Sequence, residues 1–339
     1  MAASDLEIRA AEDELQRGFQ TLEVVQKDPA IPVYHIYLNR AAQRNALTVP
    51  FFSELPRALS LLSVLPSARA LVLAARGTHF CSGIDLEALR SLTPSSSPSP
   101  SPSPSAAADL LRGRILSLQA AISSLERFRK PVVAAIQGAC VGGGVDLAAA
   151  CDIRCCSDDA FFSVKEVDLA LAADLGSLQR LPHIIGYGNA VELALTCRRV
   201  SASEAKAMGL VSRVFPSPSA LEEGVDQLAK GLAEKSSVAV MGTKAVLLKS
   251  RDQKVDEGLD YVATWNSAML MSPDLEEAIA AHIQKLKPNP TFHLHVEKVP
   301  PMLILNSSFS NLTSKHLFLY IKHNIFSRPN QFKLKQVLF

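Results

Sequence analysis

Three acids stand in apolar company along this chain. Asp146 sits between Val145 and Leu147, Glu166 in the run Phe161-Phe-Ser-Val-Lys-Glu-Val167, and Asp174 in Leu169-Ala-Leu-Ala-Ala-Asp-Leu175. Asp and Glu are rarely buried unless paired or functional. Burial raises a carboxyl pKa, and a neighbouring carboxylate raises one of a pair further. That tuning places an acid and a base together near neutral pH, the equipment for proton transfer. Taken singly, each acid is better explained by a helix cap or an ion pair, and Lys165 stands next to Glu166 as a ready partner. Three together, just downstream of the glycine-rich turn described next, shift the reading toward chemistry. Asp152 and Asp168, close by, are assigned structural roles.

Two glycine-containing turns follow apolar runs. The first is Phe80-Cys81-Ser82-Gly83-Ile84-Asp85-Leu86; the second is Gly138-Ala-Cys-Val-Gly142-Gly143-Gly144-Val145-Asp146, which opens a helix. Backbone N–H groups at such turns point outward, and a helix N-terminus adds positive potential. Two N–H groups converging from separate turns would hold one developing oxyanion, such as the enolate of a thioester, a contribution of about 100- to 1,000-fold in rate per donor. The same glycines also permit close helix–strand packing, so the GxxxGGG pattern alone does not decide.

The elements that must position these groups are legible as alternating strands and helices. Val33 to Leu38 alternates like a strand, Arg69 to Ala75 and Pro131 to Ile136 contain buried apolar runs, and Cys151 to Cys156 reads as a further short strand. Ser201-Ala-Ser-Glu204 predicts a capped helix stopping near Gly209. From Ala220 onward the chain reads as helices alone, over 220–235, 238–249 and 255–271 and from Asp274, the last with an acidic first turn behind Ser272-Pro273. This order predicts an α/β core with a helical C-terminal unit. The Ser/Pro repeat from Ser91 to Ser105 cannot pack a core and predicts an exposed, mobile loop. From 288 the composition changes: 52 residues carry six Lys and Arg against a single acid, Glu297, and four of the eight His. That shift marks a tail, expected to be poorly ordered.

Composition excludes several classes. The 339 residues are 48% hydrophobic and 20% charged with a formal net charge of +2, a globular mix with no electrostatic case for nucleic acid. No stretch approaches the roughly 18 unbroken apolar residues of a membrane span. The segment Met1–Lys27 is acidic and helix-prone and lacks the apolar stretch of a secretory signal. Six cysteines lie in apolar or glycine-rich surroundings without CxxC spacing and read as reduced core thiols, which together with the foregoing predicts a soluble intracellular protein. No GxSxG elbow, HExxH or GxxxxGK[ST] offers competing chemistry. His35, His79 and His183 are isolated and read as surface or satisfied core residues.

Four motifs in order carry a resemblance: Asn39-Arg40…Arg44-Asn45-Ala46-Leu47, Cys81-Ser-Gly-Ile-Asp-Leu86, Gln137-Gly138…Gly142-Gly-Gly-Val-Asp146 and Gly176-Ser-Leu-Gln-Arg-Leu-Pro182. Over roughly residues 20–286 the chain resembles the enoyl-CoA hydratase/isomerase (crotonase) superfamily, and within it the Δ3,5-Δ2,4-dienoyl-CoA isomerases. Hydratases typically carry Glu at the position of Asp146 and Gly at that of Asp174, so three acids point to the isomerase. The resemblance implies an α/β fold, the crotonase (ClpP-like) spiral of ββα units, with a helical C-terminal region that assembles trimers or hexamers. The corresponding division is an N-terminal helical extension (1–19), a core (20–219) with the Ser/Pro-rich loop at 91–108, a C-terminal oligomerisation region (220–287) and the atypical tail (288–339). It implies that the N–H groups of Ile84 and Gly143 form the oxyanion hole. Ser82, Gly83, Ile84, Asp85, Leu86 and Gly144 would line the coenzyme A and acyl site. Asp174 would take a proton from C2 of a 3,5-dienoyl-CoA, Glu166 would return one at C6, and Asp146 would tune both. No metal or separate cofactor is implied, because coenzyme A is part of the substrate, an acyl-CoA thioester; neither nucleic acid nor membrane is an implied partner. Peroxisomal location is implied too, although the chain ends Val337-Leu-Phe339 rather than in a peroxisomal tripeptide; without that import the location is cytosolic. Two alternatives stand beside this reading: an enoyl-CoA hydratase using Asp146 and Glu166, and a non-catalytic homologue whose tail disturbs assembly. Ala41 replaces a common Pro, and the Ser/Pro insertion follows the Ile84 turn, beside the acyl entrance.

Overall fold

The computed structural model describes residues 4–91 and 103–283. The expected tail and the heart of the Ser/Pro repeat lie outside these residues. The strands are β1 (Leu22–Val25), β2 (Val33–Leu38), β3 (Ala70–Ala75), β4 (Val132–Ile136), β5 (Ala139–Val141), β6 (Ile153–Ser157), β7 (Phe161–Ser163), β8 (Val200–Ser201) and β9 (Arg213–Phe215). The helices are α1 (Asp5–Arg17), α2 (Val49–Val64), α3 (Leu86–Ser91), α4 (Pro104–Arg127), α5 (Gly143–Ala150), α6 (Ser177–Ile185), α7 (Tyr187–Thr196), α8 (Ala202–Ala207), α9 (Pro218–Ala233), α10 (Ser237–Ser250), α11 (Val255–Met269) and α12 (Pro273–Ile283).

The main sheet runs β1-β2-β3-β4-β6-β9, parallel from β2 onward with β1 added antiparallel. Every residue of β3 and β4 is buried, as expected for parallel strands covered on both faces. Their alternate side chains separate into two cores. Ala70, Val72, Ala74, Val133 and Ala135 meet Leu221, Val225, Ala229 and Ala233 of α9, whose four-residue spacing makes one helical stripe. Leu71, Leu73, Val132, Ala134 and Ile136 face the other way, into the larger core beneath α2, α4 and α5. The first helix after 220 is therefore a layer of the core.

A second, smaller sheet, β5-β7-β8, runs beside the first. β4–β5–α5 and β6–β7–α6 form successive ββα units, the element order of the expected spiral. Single bridges continue the smaller sheet's row: Cys81 pairs with Cys140, and Leu47 with Ile84.

Several sequence expectations need correction. The Ser/Pro stretch expected to be loop through 108 ends earlier, because Ser103 caps α4, its side chain accepting from the N–H of Ala106 at 3.3 Å, and Pro104 starts the helix. Proline is tolerated there because the first helical N–H has no intrahelical partner in any case. The strand expected from Cys151 begins at Ile153, since Cys151 still closes the last turn of α5. The N-terminal segment is helical only to Arg17, and Leu22–Val25 has joined the sheet. All six cysteines are buried with free thiols. Among the described residues, no helix is long and apolar enough to cross a membrane.

Candidate active site

The two glycine turns meet. Cys81 N–H donates to Ala139 O at 2.9 Å and Val141 N–H to Cys81 O at 2.9 Å, which zips the first turn along β5. From the other side, Leu47 N–H donates to Gly83 O at 2.8 Å and Asp85 N–H to Leu47 O at 2.9 Å. In such a parallel bridge the flanking residues take the bonds and the N–H of the central residue points away. Ile84 is that central residue, and its N–H has no partner among the described residues. Gly143 opens α5, where the first N–H groups lack an intrahelical acceptor; its N–H is likewise unpartnered. Gly83 Cα lies 3.7 Å from where a Cβ on Gly142 would sit. Gly142 holds φ of 51°, a left-handed conformation that side chains other than glycine's adopt at a cost.

The acids gather at this junction. Glu166 heads a short 3-10 turn after β7, and its Oε1 would stand 3.1 Å from a Cβ on Gly142. Its other oxygen, Oε2, is buried without a hydrogen-bond partner. Burial raises the Glu166 pKa, and the charge of Asp174 raises it further against the pull of nearby backbone N–H groups. Lys165 pairs with Asp168 instead, leaving Glu166 without the ion pair its neighbour in sequence suggested. Asp146, in the first turn of α5, is 1% exposed. Its Oδ1 accepts from both the N–H and the hydroxyl of Ser177 at 2.6 Å, while Oδ2 is buried and unpartnered. Burial pushes the Asp146 pKa up to about 7; the Ser177 hydroxyl opposes this and Glu166 adds to it. Asp174 is exposed, and partial desolvation shifts its pKa upward. The three carboxyls thus form an electrostatic chain, Asp174 acting on Glu166 and Glu166 on Asp146.

The expected binding segment divides in two. Ser82, Gly83 and Ile84 belong to the junction, and Leu86 is 64% exposed beside it. Asp85 is occupied: its Oδ1 accepts from Glu87 and Ala88 N–H at the start of α3, and Oδ2 faces Arg40 at 3.5 Å. Gly144 is a packing glycine, since a Cβ there would lie 2.8 Å from Cys81 Cβ. Asp152 and Asp168 hold structural partners as expected, Val132 N–H with Lys244 for the first and Lys165 for the second.

The sequence reading missed three supporting residues. Buried Asn45 accepts from Arg40 N–H and donates to Arg76 O and His79 O, stapling the Arg44–Leu47 segment to the strand end before Phe80. Ser177 holds Asp146, and Gln119 Nε2 donates to Asp174 O at 2.7 Å. Asn45 and Ser177 stand in the motifs that carry the resemblance, which assign neither a role, and Gly176-Ser177 ahead of a helical run marks a helix start whose N–H would seek an acceptor.

A cavity of about 460 Å3 opens beside Ile84, between α2, α3 and α4. Val49, Phe52, Ala88 and Leu118 give it apolar walls, and Arg114 and three serines edge it.

Residues 30–292 match the enoyl-CoA hydratase/isomerase family. A peroxisomal Δ(3,5)-Δ(2,4)-dienoyl-CoA isomerase of Arabidopsis thaliana is 57% identical over 271 residues, covering 80% of this chain and 97% of that protein. The mitochondrial Δ(3,5)-Δ(2,4)-dienoyl-CoA isomerase of Mus musculus is 42% identical over 287 residues, 84% of this chain and 86% of that one. Among solved structures, an enoyl-CoA hydratase of Bacillus anthracis superposes with a TM-score of 0.71 at 30% identity, covering 80% of this chain and 98% of that one.

Proposed function

The chain belongs to the enoyl-CoA hydratase/isomerase family, and from that premise we propose that it converts 3,5-dienoyl-CoA thioesters to 2,4-dienoyl-CoA in the oxidation of unsaturated acyl chains. The names of relatives at 42–57% identity support this reaction. The observation that carries it is the arrangement of three coupled carboxyls, two of them with a buried, unpartnered oxygen, beside two free N–H groups.

The mechanism follows from that electrostatic order. In this mechanism Asp174 serves as the ionised base and Glu166 as the protonated acid, a division favoured by the charge of Asp174, which raises the Glu166 pKa beyond the effect of burial, and by the exposure of Asp174 to solvent. The thioester oxygen takes the N–H groups of Ile84 and Gly143. Asp174 removes a proton from C2, and the electron pair spreads through the diene to a dienolate whose charge rests on that oxygen. Glu166 then delivers its proton to C6, leaving double bonds at C2 and C4. One proton is taken and one given; exchange with solvent through exposed Asp174 restores both groups. Asp146, its Oδ1 fixed by Ser177 and its Oδ2 buried without a partner, is the inner carboxyl of the site, its pKa raised by burial and further by Glu166. The apolar cavity beside Ile84 suits the acyl chain beyond the diene, with coenzyme A passing over Ser82–Ile84 and Leu86.

The deciding experiment follows the absorbance of the product from a 3,5-dienoyl-CoA, with hydration of a 2-enoyl-CoA measured alongside. Isomerisation at enzymatic rates without comparable hydration is expected. Hydration alone would overturn the reading and demote Asp174.

Assembly is part of the proposal. α11, α12 and the turn between them expose Leu259, Leu270, Met271, Ile279 and Ile283, apolar side chains that further copies of the chain would cover in a trimer or hexamer. Sedimentation velocity on the purified protein is expected to show such an assembly, and a monomer at working concentration would refute it. The plant relative's name also supports a peroxisomal location; an amino-terminal fluorescent fusion that stays diffuse in the cytosol would argue against it.

A further inference from the structure

Gln119, Ser123 and Glu126 are spaced four and three residues apart on α4, which puts them on one face of the helix. All three reach the same short segment. Gln119 Nε2 donates to the backbone O of Asp174 at 2.7 Å. Ser123 Oγ accepts from Arg180 at 2.9 Å, and Glu126 accepts from Nε and Nη2 of the same guanidinium at 3.3 and 3.2 Å. Arg180, only 7% exposed, folds back over its own segment: it donates to Leu175 O at 3.4 Å and fills the space a Cβ on Gly176 would need. Both ends of the stretch from Asp174 to Arg180 are therefore anchored to one helix face. Ser177, which holds Asp146, lies between the anchors.

The chain of bonds continues outward. Arg251, at the end of α10, donates to Glu126 Oε1 at 2.6 Å. Burial alone would raise the Glu126 pKa, but its bonds to Arg180 and Arg251 outweigh that and keep it ionised. Glu126 is thus the joint between the segment bearing Asp174 and the C-terminal helices.

We infer that the Gln119–Ser123–Glu126 face of α4 is a positioning device that sets both Asp174 and the Ser177 support of Asp146, and that Arg251 ties this device to the C-terminal helices. The inference rests on the isomerase reading above, in which Asp174 is the base. None of these side chains bonds a carboxyl of the three acids; Gln119, Ser123 and Glu126 act through the backbone that carries Asp174 and Ser177, while the charge of Arg180 also favours the ionised form of Asp146. The effect on rate is large for a small movement, because an error of about 1 Å in a reacting group can cost on the order of 100-fold.

The test compares Gln119→Met, which keeps the side chain's length and loses its donor, with Arg251→Met and Asp174→Asn. For Gln119→Met, kcat for 3,5-dienoyl-CoA is expected to fall about tenfold with KM nearly unchanged. Arg251→Met is expected to lower kcat several-fold, again without a change in KM. A purely structural role predicts a lower melting temperature and an unchanged kcat per folded site, and that result in both variants would overturn the inference. If Asp174→Asn is inactive while Gln119→Met and Arg251→Met behave as wild type, the device falls and the isomerase reading stands. If Asp174→Asn stays active, both fall. Hydrogen exchange at residues 174–177 provides a readout independent of turnover: faster exchange is expected in Gln119→Met, and unchanged exchange counts against the device.

Discussion

Asp174→Asn is expected to lower kcat for 3,5-dienoyl-CoA isomerisation by about 1,000-fold, within the range that a positioned general base supplies. Binding of the 2,4-dienoyl-CoA product should stay within a few-fold of wild type. Two losses combine in one substitution. The amide cannot accept the C2 proton, and it no longer carries the negative charge that raises the Glu166 pKa. Glu166 then titrates at lower pH, so less of it is protonated when a proton is needed at C6. The residual rate should accordingly rise toward acid pH, moving the profile's alkaline limb downward. Little of the loss can come from unfolding, because Asp174 is exposed and the Gln119 bond ends on its backbone. Single-turnover kinetics and product titration separate the two quantities. Retention of more than about a tenth of wild-type kcat would remove Asp174 from the role of base.

The sequence exposes the site's frame more readily than its wiring. β3 and β4 are apolar throughout and followed by glycine turns, a pattern that survives translation into structure because parallel strands are buried on both faces. β5 does not: three residues between glycines carry no periodicity, and its identity as a strand comes from pairing with β7, some 20 residues onward. Apolar sequence neighbours also misled. Ala173 and Leu175 are buried, but Asp174 between them is turned outward. Lys165 stands next to Glu166 yet bonds Asp168, because the 3-10 turn brings residues three apart together. The supports of the site are long-range and end on the backbone: Gln119 lies 55 residues from the carbonyl it binds, and Ser177 lies 31 from Asp146. Residue type at one position says nothing about a carbonyl so far away, so those bonds appear only once the fold is built.

Asp146→Asn tests whether a buried carboxyl is retained at a cost to stability, and its signature is a crossing of two curves. The folded-state pKa of Asp146 is about 7, against roughly 3.9 for an unfolded Asp. Between these values the folded chain keeps a proton that the unfolded chain releases, so native stability falls as pH rises and levels off above the folded pKa. Three pKa units correspond to about 4 kcal/mol of destabilisation at pH 8. Asparagine abolishes this titration. Its Oδ1 still accepts from Ser177, but its NH2 puts two buried donors without an acceptor where the protonated carboxyl has one at Oδ2, and the additional donor costs about 1–3 kcal/mol. At pH 4 only that cost remains, so the variant should be less stable than wild type. At pH 8 relief of the buried charge is the larger quantity, and the variant should be more stable by about 1–3 kcal/mol, a few degrees in melting temperature for a chain of this size. The more distant carboxyls titrate alike in both proteins, so the difference between the two thermal profiles reports Asp146 together with its interaction with Glu166. Activity should move the other way, with isomerisation lost at the pH where stability is gained. Parallel profiles without a crossing would mean that Asp146 is ionised in the fold at little cost, acting as a cap for α6 and nothing more. A crossing accompanied by lost turnover would mark Asp146 as a group whose presence the fold alone does not justify, since a neutral side chain of the same shape serves stability better at neutral and alkaline pH.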